Sequence, residues 1–136
     1  MTGLIAGAVA GAILRFAVAL GFLYYVSRWG GKWWGGATDM WLGALVSAGI
    51  GAAVGGAAGW TCRPLLGTAV GALLSCGSCL TLFVLPARLM IGMSHPGGLD
   101  RIETAELSYG LTAMTLAGAL AGLIGATIGR RAGRMG

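Results

Sequence analysis

The sequence predicts an all-α integral membrane protein: four antiparallel transmembrane helices joined through small residues in a glycine-zipper manner. Three observations predict it. The chain has 136 residues, of which 57% are apolar and 10% charged, whereas a soluble domain carries about 25% charged residues. It contains four apolar stretches, each close to the roughly 20 residues a helix needs to cross a hydrocarbon core. Each stretch also carries small residues four apart: Gly3, Gly7 and Gly11 in the first; Gly43, Ser47, Gly51, Gly55 and Gly59 in the second; Gly67, Gly71, Ser75 and Cys79 in the third; Ala113, Ala117, Ala121, Gly125 and Gly129 in the fourth. In water this much glycine would weaken a helix, since each Gly costs about 1 kcal/mol against Ala. In lipid the same residues line one helix face and let backbones approach, so van der Waals contact replaces the missing hydrophobic drive. Gly7, Gly11, Gly43, Gly51, Gly55, Gly118 and Gly125 are the expected helix-packing positions.

The elements follow in order, within one domain spanning 1–136. Span one is expected over 3–27. A ten-residue loop, RWGGKWWGGA, then gathers tryptophans beside Tyr24, Tyr25 and Trp41, the composition of an interfacial aromatic belt. Span two is expected over 39–60, with Thr38 as its N-cap. The connection to span three is only Thr61 to Pro64, which implies a tight antiparallel hairpin. Span three is expected over 65–85, bracketed by Pro64 and Pro86; proline suits a first helical turn and stops a helix beyond its end. The last connection holds an apolar piece, 87–93, and an HPGG turn. Asp100 and Glu103 mark a helix start, acidic residues favouring the positive end of a helix dipole. Span four is expected over 107–129.

The formal net charge is +5, yet no basic stripe with interleaved aromatics is present, which argues against nucleic acid as a partner. Lys and Arg counts decide membrane orientation. The termini side has Arg63, Arg130, Arg131 and Arg134; the other has Arg28, Lys32, Arg88 and Arg101, a tie. The clustered tail favours termini in the cytoplasm of a bacterial inner membrane, and the tie is also the pattern of dual topology. The apolar N-terminus lacks the positive n-region of a cleavable signal peptide. Cys62, Cys76 and Cys79 are odd in number and two lie mid-span, against a disulfide framework.

Arg15 falls near the middle of span one. A cation there costs at least about 2.5–3.5 kcal/mol by insertion scales, so it needs a partner or a wet cavity. No span holds an interior carboxylate. One reading matches Arg15 with carbonyls or a bound anion. The other shifts the span to 16–27, so that Arg15 and Arg28 snorkel to opposite interfaces. Span three has the most polar interior, and Ser75, Ser78 and Thr81, three apart, could line a path for an ion or bond the carbonyls one turn back. Cys76 and Cys79 form a C-x-x-C mid-helix, without the access or helix N-terminus that thiol exchange uses. His95 stands alone, and a metal site needs three or four ligands. No nucleotide loop, nucleophile elbow or paired carboxylate is present, so no enzyme activity, cofactor or metal is expected.

Span one reads AGAVAGAILRF, span three RPLLGTAVGALLSCGSCLT and span four LSYGLTAMTLAGALAGLIGATIGR. Through Gly7, Gly11, Ala12, Arg15 and Phe16, the hydroxyls Ser75, Ser78 and Thr81, and Tyr109, Gly118 and Gly125, the chain resembles the small bacterial fluoride channels of the CrcB/Fluc family. The resemblance implies a dual-topology dimer that passes fluoride, with Arg15, Ser75, Ser78 and Thr81 along the anion pathway. It departs where that family has a pore asparagine, here Ala48, and paired phenylalanines, here among Leu74, Gly77 and Leu80. Two functions are therefore expected: a passive anion channel, fluoride-like, or a non-transporting glycine-zipper subunit or assembly factor. The partners expected are the lipid bilayer and either a second copy or other membrane subunits.

Overall fold

The computed structural model describes residues 1–29, 37–84 and 101–134, and these are almost wholly helical. The helices are α1 (Thr2–Trp29), α2 (Ala37–Trp60), α3 (Pro64–Cys79), which runs on as a π-helical stretch over Leu80–Val84, and α4 (Arg101–Ala132). Four segments are long and apolar enough to cross a membrane: Thr2–Phe22, Trp41–Trp60, Pro64–Leu82 and Ser108–Ala132. The first apolar segment ends earlier than expected, although its helix continues to Trp29. The fourth helix begins at Arg101, well before 107, although its apolar segment begins at Ser108. Thr38 is not an N-cap: α2 begins at Ala37 and takes Thr38 into its first turn. The tryptophan-rich loop, Pro86, the HPGG turn with His95, and Asp100 lie outside the described residues.

The connection between α2 and α3 shows why so few residues suffice. Thr61 donates its hydroxyl to the Ala58 carbonyl at 2.9 Å. Cys62 then takes φ 51°, the left-handed conformation, which reverses the chain within one residue at a cost glycine would avoid. Pro64 occupies the first turn of α3, where its missing N–H loses nothing. The Thr68 hydroxyl donates back to the Pro64 carbonyl one turn earlier at 2.8 Å.

α4 packs against the other three helices, α1 packs on α2, and α3 packs on α4 and more sparingly on α2. The small residues make these contacts. A Cβ on Gly7 would overlap the Gly55 carbonyl, one on Gly11 the Gly51 carbonyl, and one on Gly3 would stand 2.7 Å from the Gly59 carbonyl. Gly71 meets Gly118 in the same way across α3 and α4, and Gly125 sits 2.7 Å by the same measure from the Gly7 Cα. Gly43, on the same face of α2, is half-buried.

Burial is inverted relative to a water-soluble core. The bulky apolar side chains Ile13, Leu42, Leu45, Leu65, Leu73 and Leu116 are exposed, and the interior is mostly Ala, Gly and Ser, with Val54, Cys79, Met114 and Arg15 among them. In lipid no hydrophobic drive pulls leucine inward, whereas close backbone contact requires small residues. The three largest fully buried side chains are Arg15, Ser47 and Ser75.

Candidate functional site

α1 has one inward face, and its residues recur every fourth position: Gly3, Gly7, Gly11, Arg15 and Ala19 are all buried. Arg15 thus continues the glycine stripe. It is 0% exposed, so its side chain turns into the bundle rather than out of it. Its stem passes over Gly51, where a Cβ would come within 2.9 Å of the Arg15 Cβ. The glycine on α2 therefore makes room for the arginine on α1.

The guanidinium crosses the bundle towards α3. Nη1 donates to the Ser78 hydroxyl at 2.9 Å, and that hydroxyl donates in turn to the Ser75 carbonyl at 2.9 Å. α1 and α3 share no extended packed face among the described residues; the Arg15–Ser78 bond spans this gap. Nε and Nη2 are also buried but have no hydrogen-bond partner among the described residues. No carboxylate among them reaches the guanidinium either. A buried charge is expensive unless paired and hydrogen-bonded, so two unmatched donors mark this as an incomplete site.

Three further residues close the layer around it. Ser75, fully buried, donates to the Met114 carbonyl at 2.6 Å. Ser47, on α2, donates to the Met114 sulfur at 3.9 Å. Cys79 packs with Ala19, Ala44 and Met114. Gly118 leaves room for Ser75, since a Cβ there would stand 2.8 Å from the Ser75 hydroxyl. The serine of α2 and the methionine of α4 were not singled out as site residues by sequence, although Ser47 lies on its helix's small-residue stripe. The signal for Ser47 is its position on that stripe; Met114 lies off the stripe of its own helix and carries no such signal.

Of the four pathway residues expected from sequence, the structure brings together Arg15, Ser75 and Ser78. Thr81 lies apart: it is exposed, and its hydroxyl donates to the Gly77 carbonyl of its own helix at 2.8 Å. At 3.6 residues per turn, a step of three residues falls about 60° short of a full rotation. Two such steps from Ser75 therefore carry Thr81 about 120° around the helix, away from Arg15. Cys76 is half-buried and Cys79 buried, and both are free thiols. The described residues contain no group of three His, Cys, Asp or Glu side chains able to hold a metal ion.

No family model, curated protein or solved structure matches the chain.

Proposed function

We propose that this chain is an antiparallel four-helix membrane protein held by a glycine zipper, and that Arg15 with Ser78 forms an intramembrane site through which a small anion passes passively. Fluoride is the anion proposed, from the resemblance carried by Gly7, Gly11, Arg15 and the span-three hydroxyls. The observation that carries the reading is the fully buried Arg15 guanidinium with Nε and Nη2 unpartnered, and no carboxylate to match it, among the described residues. A desolvated anion needs converging donors to replace its hydration shell, and this layer offers two free N–H directions beside a serine hydroxyl. Thr81 is not part of the proposed site. The setting proposed is a bacterial inner membrane, with the arginine-rich tail on the cytoplasmic side or with dual topology. No catalysis or cofactor is invoked.

A second reading has its own support. The unpartnered nitrogens are closed off from solvent within one chain, and the stripes are built for helix packing. On that reading the chain is a non-transporting subunit whose buried arginine awaits an acceptor from a second copy or another membrane subunit.

Efflux from liposomes containing purified protein separates the two. With an ion-selective electrode, fluoride and chloride release are compared for wild type, Arg15→Met and Ser78→Ala. The channel reading expects fluoride release above empty liposomes and a fall of about tenfold or more in Arg15→Met, the loss expected on removing a charged hydrogen bond. Release no greater than from empty liposomes would leave the subunit reading standing instead.

A further inference from the structure

The arginine-rich end of the bundle is separate from the Arg15 site, and nothing so far gives it a role. Arg63 lies in the connection before α3, and Arg130, Arg131 and Arg134 lie in and just after the last turn of α4. The fold brings these segments together: Cys62, next to Arg63, places its sulfur within 3.3 Å of where a Gly129 Cβ would stand, next to Arg130. All four arginines are exposed, and none makes an ion pair among the described residues.

Their charge is not balanced locally. Asp39, Glu103 and Glu106 belong to the first turn of α2 and the first two turns of α4. At 1.5 Å per residue these are about 32 to 39 Å from Trp60 and Gly129 along their helices. That is several Debye lengths at physiological salt, about 8 Å each. Among the described residues, the four positive charges therefore have no counter-charge at this end of the bundle.

Depth and side-chain type say by what. The apolar segments of α2 and α4 end at Trp60 and Ala132, and that of α3 begins at Pro64. With these segments crossing a bilayer, as proposed above, the guanidiniums leave the bundle where hydrocarbon gives way to headgroups. Trp60 and Leu65 at the same level are 74% and 89% exposed; a tryptophan there suits the headgroup boundary and a leucine the acyl chains. The four cations are all arginine, whose planar fork takes a phosphate through two parallel hydrogen bonds, whereas lysine acts as a point charge.

We propose that Arg63, Arg130, Arg131 and Arg134 form a docking surface for the headgroups of anionic phospholipids, with Trp60 and Leu65 against the lipid below. The surface recognises a phosphodiester carrying a net negative charge, so a zwitterionic lipid binds it less well. It does not depend on anion passage at Arg15.

The test is lipid selectivity of the intact protein. Spin-labelled phosphatidylglycerol and phosphatidylcholine are compared at the protein boundary in bilayers of defined composition. Wild type should favour phosphatidylglycerol by about tenfold, well within about 1 kcal/mol for each arginine near the surface. The variant carrying Arg63→Gln, Arg130→Gln, Arg131→Gln and Arg134→Gln should lose that preference, and Arg28→Gln, outside the cluster, should keep it. If the fourfold variant does not fold, wild type in molar salt serves instead, since screening should remove the preference. Equal binding of the two lipids by wild type, or a preference that survives both the substitutions and salt, overturns the proposal. Displacement of the labelled lipid by inorganic phosphate at similar concentration also overturns it, by making the surface a site for free phosphate.

Discussion

The buried stripe of α1 can be compared with itself at two levels. Over Gly3, Gly7 and Gly11 the helix lies backbone to backbone against α2 and α4, and an added methyl group would strike main-chain atoms. One turn further on, at Arg15, the same face carries the largest side chain in the interior, with Ser47, Ser75 and Met114 around it. The helix, the face and the four-residue spacing are unchanged; only the contents differ. The glycine level is saturated with contacts and has no polar side chain to satisfy. The arginine level leaves donors unmatched. The first is suited to holding helices at fixed distance, and the second keeps buried donors with no acceptor among the described residues.

The comparison is broken most severely at the glycine level. Gly55→Leu should drive α1 and α2 apart, because the atoms it would meet are the Gly7 carbonyl and its neighbours, and main chain cannot rotate away. The loss should reach or exceed the roughly 1–3 kcal/mol of ordinary overpacking. It would be read as a lowered thermal midpoint in detergent; a variant as stable as wild type would mean that this face does not pack. Next in size, and opposite in sign, is Arg15→Met. Replacing an incompletely paired buried charge by an apolar side chain of similar volume is often stabilising, by about 1–4 kcal/mol. The midpoint should rise while anion release falls, the separation expected of a functional site. A drop in stability would instead make Arg15 a structural strut.

Ser75→Ala is smaller. It removes the hydroxyl that bonds the Met114 carbonyl, and interhelical bonds of this kind contribute about 0.6 kcal/mol in membranes. A midpoint lowered slightly, with no change in oligomeric state, is expected by calorimetry; a loss as large as that of Gly55→Leu would show the layer to be the main tie between α3 and α4. The smallest change sharpens the contrast among glycines. Gly49 and Gly77 have nothing within 4 Å of an added Cβ. Gly49→Ala should therefore leave the midpoint unchanged or raise it by less than about 1 kcal/mol. Marked destabilisation would point to a contact that one chain does not contain.

Much of the fold was legible because the interior of a membrane bundle is encoded by size as well as polarity. Small residues at a four-residue period point to one face, and Gly7, Gly11, Gly51 and Gly55 lie on such faces in the structure. The same spacing also contains the placement of Arg15, the next position after Gly11. Thr81 shows the converse. A hydroxyl at a spacing of three looks continuous in a linear sequence but winds off the face within two steps. Ser47 and Met114 could not be assigned to the layer from sequence, because what joins them is the relative height of α2 and α4, which no local pattern records.

The Arg15–Ser78 bond also has a consequence in time. Its two residues are 63 positions apart. At about 5–20 residues per second of synthesis, the serine emerges about 3–13 seconds after the arginine. If the helices enter the bilayer in order, α1 must spend that interval with a cation whose acceptor does not yet exist. The first helix then has to linger beside water or the insertion machinery at least until α3 arrives.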